Sequence, residues 1–306
     1  MDIDTVKLSD ITDMESPTAV LKEVIRIYEL MAPGEGFDQI MHGWGFTIGL
    51  YEGRMDGYRA CNTGYHDLKH ATDTFLTMAR LLHGASLTDL SLSPTIITTC
   101  LIAALLHDAG YIQRNGDVDG TGAKYTQAHV ARSMAFVSRH ASEIGVSGEQ
   151  LEKARLIICC TDLSLKINEL EFPDPLTEKL GRLMMAADLF SQMSDRKYLE
   201  KLLFLYQEFK EANFGDYTSG RDLLLKTLGF YDYVEAIMGD TVMEADVYLT
   251  AHFSTRWQVP VNLYKRSIDN QKNYLKEIIH KNDYEHDRYL KRGGIVKRIQ
   301  QPYGAI

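Results

Sequence analysis

Residues 93–110, SPTIITTCLIAALLHDAG, set the terms for any fold this chain adopts. Ser93 and Pro94 read as the N-cap and first residue of a helix, and Gly110 reads as its stop. The β-branched start would suit a buried strand, but the run is too long for an ordinary one. It falls short of the roughly 20 residues needed to cross a bilayer, so it belongs in a core. Yet it carries His107 and Asp108 into that core. An unpaired buried carboxylate is costly enough to neutralise itself or to demand a partner.

The rest of the chain reads as one helix after another. Ser16 and Pro17 open the first, Val20, Val24, Ile27, Tyr28 and Met31 mark its apolar face, and Gly34 and Gly36 end it. Residues 43–64 are rich in glycine and aromatics without a clear period, and are expected to be irregular. A helix is expected over about 66–84, and others near 124–142, 148–164, 175–194, 195–213, 219–228, 241–255 and 259–282. No stretch alternates with period two, and no internal repeat or low-complexity linker is present. The expected fold is all-α and single-domain. Residues 1–60 would form a helix and lead-in on the core, 61–282 the catalytic body and 283–306 a charged tail. The stretch 259–282, with Tyr264, Ile268, Leu275 and Ile279 on one side, could pack on its own domain or on a second copy in a homodimer.

A formal net charge of -9 argues against a groove for polymeric nucleic acid or an anionic membrane surface. An anionic small substrate would need positive charge supplied locally. Cys61, Cys100, Cys159 and Cys160 lack ligand spacing such as CxxC, and the start MDIDTVKLSD lacks a basic region followed by an apolar one. Reduced thiols and a cytoplasmic setting are expected.

His-Asp dipeptides occur at 66–67, 107–108 and 286–287, so context must separate them. His286 and Asp287 lie among Glu285, Arg288, Lys291 and Arg292, which reads as a solvated face. Asp108 follows an apolar helix, and Asp188 sits in the equally apolar RLMMAADLFSQM. In YHDLKHATDTF, His66 and His70 are four apart and would share one helix face. Buried acids and histidines on separate helices have a common remedy in a metal ion. His70, His107, Asp108 and Asp188 would make a mixed nitrogen and oxygen set, leaving His66 free for proton transfer. A network of His-Asp hydrogen bonds without metal is the alternative. His42, His83, His140, His252 and His280 are expected to be ordinary core or surface residues.

This order of motifs resembles the HD-domain metal-dependent phosphohydrolases, and within them the catalytic domain of class I cyclic nucleotide phosphodiesterases. Their Tyr-His-Asn-x-x-His-Ala-x-Asp signature is matched by Tyr65, His66, His70, Ala71 and Asp73, with Asp67 in place of the asparagine. Their Ala-x-x-His-Asp segment is matched by AALLHDAGY, their Ala-Asp-Leu-Ser by AADLF, and their Thr-Asp-Met-Ser is similar to TDLS at 161–164. The resemblance implies an HD-type helical bundle using two divalent ions. His70, His107, Asp108 and Asp188 would hold the first, zinc or else iron or manganese, and Asp108 would bridge to a second, magnesium or manganese. His66 would be the general acid, and a phosphodiester such as a cyclic nucleotide the substrate. Tyr111 replaces a histidine of that family and Thr126 a glutamate, which puts the second ion in doubt unless His129 ligates it directly. Thr161 and Asp162 could support the ligands or simply cap a helix. Gln258 or Gln271 could grip a base, and Phe190, Phe204, Phe230, Tyr233 and Phe253 could line its pocket or belong to the core. An HD phosphomonoesterase and a non-catalytic nucleotide-binding HD domain are the other readings.

Overall fold

The computed structural model describes Ile3, residues 5–281 and residues 284–299. Among these the chain is all-α, and its β pairing is an isolated bridge between Tyr58 and Arg114. After α1 (Leu8–Ile11), α2 spans Pro17–Met31. Ser16 Oγ accepts from the Ala19 amide, Pro17 occupies the first turn, and Val20, Val24, Ile27 and Tyr28 are buried. Next comes α3 (Phe37–Tyr51), where irregular chain was expected from residue 43. Ile40, Trp44, Thr47 and Tyr51 are buried on one helical face. Their burial outweighs the roughly 1 kcal/mol that each glycine costs a helix.

The centre of the molecule is α4 (Leu68–Thr88) with α5 (Pro94–Leu106). Every residue of α4 from His70 to Ala85 is buried, as is α5 from Ile97 to Leu106. Helices buried all round need neighbours on every side. The chain continues through α6 (His129–Arg139), α7 (Ala141–Ile144), α8 (Gly148–Cys159), α9 (Pro175–Ser194), α10 (Tyr198–Glu211), α11 (Gly220–Met238), α12 (Asp240–Trp257) and α13 (Leu263–Ile278), and α3, α8 and α9 pack on α5. Of these α9 and α12 pack directly on α4, along with α2 and α5. The helix expected over 124–142 is shorter, because residues 122–125 form a 3-10 turn and α6 begins only at His129. The one expected over 219–228 runs on to Met238, keeping Tyr231 and Val234 buried. The apolar face of α13 is spent at home, with Tyr264, Leu275 and Ile278 buried and the helix packed on α9 and α11.

The described part of the tail, α14 (His286–Tyr289) and α15 (Ile295–Ile299), is docked rather than loose. Leu290, Ile295 and Val296 are buried, and α15 packs on α10. Asp287 is exposed, but His286 is half-buried and its Nδ1 lies 2.8 Å from the Tyr284 hydroxyl, so only the aspartate sits on the solvated face expected for both. Residues 282–283 and 300–306 of the expected tail lie outside the described residues.

Two features of α4 make stability predictions. A Cβ on Gly84 would stand 1.8 Å from the Tyr248 carbonyl oxygen, so α12 touches α4 through bare backbone there. Gly84→Ala is expected to cost about 3 kcal/mol, roughly 5–10 °C in melting temperature by calorimetry. At the preceding residue, His83 Nδ1 and His252 Nδ1 lie 3.0 Å apart in the core. Burial, helped by Arg256, pushes His83 down to about 4, and burial holds His252 well below its usual range. Both are neutral in the fold, whereas the unfolded chain takes up protons near pH 6.5. The stability that neutral burial contributes is therefore complete above about pH 6.5 and is lost as pH falls towards 4. Melting temperatures between pH 7.5 and 4.5 are expected to fall less steeply in His83→Gln than in the wild type.

Candidate metal centre

Four elements deliver the buried donors to one point. His70 lies in the first turn of α4, His107 is the C-cap of α5, Asp108 follows it, and Asp188 lies within α9. The chain turns into α4 at Asp67, whose Oδ1 accepts from the His70 amide at 2.9 Å. Asp67 is thus a helix cap, and its side chain also takes Lys201 Nζ at 3.3 Å. His66 therefore precedes the helix instead of sharing a face of it with His70. The loop still brings its ring to within 6.1 Å of the His70 ring.

His70 Nε2 and His107 Nε2 are 3.1 Å apart. Asp108 Oδ2 stands 3.3 and 3.4 Å from these two nitrogens, and Asp188 Oδ1 stands 3.1 and 3.6 Å from them. Adjacent donors on one metal at bond lengths near 2.1 Å are separated by about 3.0–3.4 Å. Asp108 Oδ2 is buried and has no hydrogen-bond partner. His107 Nδ1 lies 2.8 Å from the Ala104 carbonyl oxygen, which takes its proton and leaves Nε2 with a lone pair. His129 is fixed alike by the Thr126 carbonyl at 2.6 Å, and its Nε2 faces Asp108 Oδ1 at 3.7 Å. Lone pairs aimed at carboxylates need a cation between them. Protons are a poor substitute, since two imidazolium N–H groups cannot confront each other at 3.1 Å. Electrostatics express the same demand. Burial alone would raise Asp108 and Asp188, but the two imidazoles hold both carboxyls below their usual range. Burial would lower His70 and His107, and the carboxylates raise both instead. For His129 burial wins and its basicity falls. The donor atoms of His70, His107 and Asp108 all lie within 4.8 Å of one another and fit a dication, and Asp188 Oδ1 adjoins this trio through the two imidazole nitrogens.

The open side of the cluster is lined by His66 and His129, whose side chains are 12% and 22% exposed against 3% and 1% for His70 and His107. Tyr111 stacks on both, 4.3 Å from the His66 ring and 4.6 Å from the His129 ring, while the two imidazoles stand 6.1 Å from each other. It offers no nitrogen donor. Behind His66 lies Glu208 of α10, fully buried, with Oε2 2.6 Å from His66 Nδ1 and Oε1 accepting from the Tyr65 amide at 2.6 Å. Nothing local in YQEFKE singles out Glu208. Gln192, one turn after Asp188, was missed likewise, and its Nε2 donates to Asp188 Oδ1 at 2.5 Å.

A family profile described as Npun_R2479-like matches residues 51–268, 218 of the 306 positions counting both ends. The chain belongs to the Npun_R2479-like family. No curated protein matches it. The Npun_R2479-like segment contains the whole cluster, from His66 to Glu208.

Within that segment several expected site residues lie elsewhere. Thr161 Oγ1 donates to the Ile158 carbonyl, and Asp162 Oδ1 accepts from the Ser164 amide and hydroxyl, so both finish the turn after α8. Gln258 is the exposed left-handed C-cap of α12. Its neighbour Trp257 packs on His252, beside the His83 end of α4 and away from His70. Gln271 Nε2 is spent on the Asp195 carbonyl at 2.7 Å. Phe190, Phe204 and Phe253 are core residues, Phe230 is partly buried, and Tyr233 donates to the Leu163 carbonyl from an exposed position. No base-gripping set is assembled among them.

His129 owes its place to Gly110. A Cβ there would stand 2.0 Å from the His129 carbonyl oxygen, and the Gly110 amide donates to Ser133 Oγ at 2.8 Å. Gly110→Ala is expected to push the start of α6 outward and weaken whatever His129 binds, with Asp108 and its partners kept. Metal titration resolving a tight and a weak site checks this: only the weak one should shift. Among the described residues no helix is long and apolar enough to cross a membrane.

Proposed function

We propose that this protein is a metal-dependent phosphohydrolase, with phosphodiesters as the favoured substrate class. The observation that carries the reading is Asp108 Oδ2, buried and unpartnered against two imidazole nitrogens, with a second carboxylate on the same nitrogens. His70, His107, Asp108 and Asp188 would hold a first dication, zinc or else iron or manganese. Asp108 Oδ1 and His129 Nε2 would face a second, magnesium or manganese, with fewer protein donors and hence weaker hold. When bound, such ions supply a water of lowered pKa and neutralise charge on the phosphoryl oxygens.

The remaining work falls to the chain itself. Glu208 accepts the His66 Nδ1 proton and fixes the ring, which leaves Nε2 to deliver a proton to the departing ester oxygen. Tyr111 keeps the His66 plane in place by stacking. An ester with an alkoxide leaving group, such as that of a nucleotide, gains most from this arrangement, because it needs a proton more than the leaving group of an activated ester does. With three carboxylates around the centre, a phosphate ester binds only once cations are loaded.

The test is metal analysis followed by hydrolysis of bis(p-nitrophenyl) phosphate, p-nitrophenyl phosphate and a panel of cyclic and linear nucleotides with added Mn2+. Turnover of a diester above the monoester supports the reading. Turnover of monoesters alone makes the protein a phosphomonoesterase on the same centre. Tight metal with no turnover of any ester favours a nucleotide-binding module, the reading to which the tyrosine at 111 lends its weight.

A further inference from the structure

His107 and His129 each hand their Nδ1 proton to a carbonyl three residues earlier, Ala104 and Thr126. His70 does not. The corresponding carbonyl, on Asp67, is taken by the Ala71 amide as α4 begins, and no protein atom among the described residues pairs with His70 Nδ1. A ligating imidazole without an anchor on its far nitrogen is free to turn and to change tautomer.

Beside His70 there is a partly open polar cavity of about 10 Å3, lined by His70, Asp73, Gln192, Asp195, Tyr198 and Lys201 among others. It has room for one water. Most of its lining is already satisfied: Ser191 Oγ donates to the Asp188 carbonyl, Gln192 bridges Asp188 and the Tyr65 hydroxyl, and Lys201 holds Asp67. Asp73 and the Tyr198 hydroxyl are the exceptions. The Asp73 side chain is 3% exposed, Oδ2 takes Lys69 Nζ at 2.5 Å, and Oδ1 is buried with no partner. A buried carboxylate oxygen left bare costs about 1–3 kcal/mol or more.

We propose that a single internal water in this cavity accepts from His70 Nδ1–H and donates to Asp73 Oδ1, making Asp73 a positioning residue for the metal ligand on the next turn. One molecule satisfies both unspent atoms, supplies the anchor that backbone supplies to His107 and His129, and fills the space. Lys69, shared with Asp195 at 3.3 Å, holds the other Asp73 oxygen and leaves Oδ1 as the one to be satisfied. The inference rests on the metal reading for its consequence, while the water itself does not.

Two measurements test it on the full-length protein. In a high-resolution crystal structure, one density peak within hydrogen-bond distance of both His70 Nδ1 and Asp73 Oδ1 is expected; an empty cavity, or His70 Nδ1 bonded elsewhere, overturns the proposal. In calorimetric titration with Zn2+, Asp73→Asn is expected to bind 10- to 100-fold more weakly than wild type. Its melting temperature in EDTA should stay within a few degrees. The control Asp195→Asn loosens Lys69 but leaves Asp73 Oδ1 in place, and should bind within about threefold of wild type. Equal affinity in Asp73→Asn, or equal losses in both variants, overturns the positioning role. A wild type that binds no Zn2+ at all fails the metal reading instead, and the density then decides the water alone.

Discussion

Asp108→Ala is expected to leave the protein without bound metal and without phosphoester turnover, while its fold survives. Asp108 is the residue that faces both sides, with Oδ2 on His70 and His107 and Oδ1 towards His129. Removing it would take a donor from both of the proposed cations at once. In the metal-free protein the same change deletes a buried carboxylate with an orphaned oxygen, so stability in EDTA is expected to hold or rise. With metal present the order reverses. A ligand at a thousandfold its Kd stabilises by about 4 kcal/mol, on the order of 10 °C for a domain of this size. Wild type should show that gain on adding Zn2+ or Mn2+ and Asp108→Ala should not. Melting curves with and without metal, beside assays of hydrolysis, check both halves. Retained activity in the variant would remove Asp108 from the centre.

His66→Ala separates proton delivery from metal holding. Metal content is expected to stay at the wild-type level, since Nε2 of His66 faces the open side and its Nδ1 is held by Glu208. Rates should fall by roughly 10²–10⁴-fold with alkyl or nucleoside leaving groups, which need the proton, and far less with p-nitrophenolate, which does not. Glu208→Gln is expected to follow the same leaving-group pattern with a smaller fall, because the amide holds the ring less firmly. Loss of metal from His66→Ala would make His66 a ligand. A loss equal for good and poor leaving groups would end its role as the acid.

Helix signals that rest on one residue type at one position were legible in the sequence. The serine-proline starts of α2 and α5 are local, and each appears as a side chain bonded to an amide in its first turn. The aspartate cap of α4 went unread, which is why His66 was misplaced: the motif spacing suggested one helix face, but Asp67 begins the helix between the two histidines. Helix α3 was hidden because glycines at 43, 45 and 49 blur a buried stripe that depends on partners far along the chain. The four buried donors could be named from sequence because each is an ionisable group in an apolar setting, which is a local contradiction. Glu208 and Gln192 carry no such contradiction. The first sits among the charged residues of α10, and both acquire meaning only when the fold sets them against His66 and Asp188. Tyr111 was noticed as a departure, but its stacking on two imidazoles is a property of the assembled site.

The claim beneath all of this is that His70, His107, Asp108 and Asp188 converge to hold a dication. Elemental analysis of the untagged protein, purified without chelator and compared with its His70→Ala variant, tests it most directly. At least one equivalent of a transition metal per chain is expected in the wild type, and none in the variant. A wild type that emerges metal-free, takes up none from Zn2+ or Mn2+ in titration and melts at the same temperature with either ion would contradict the account.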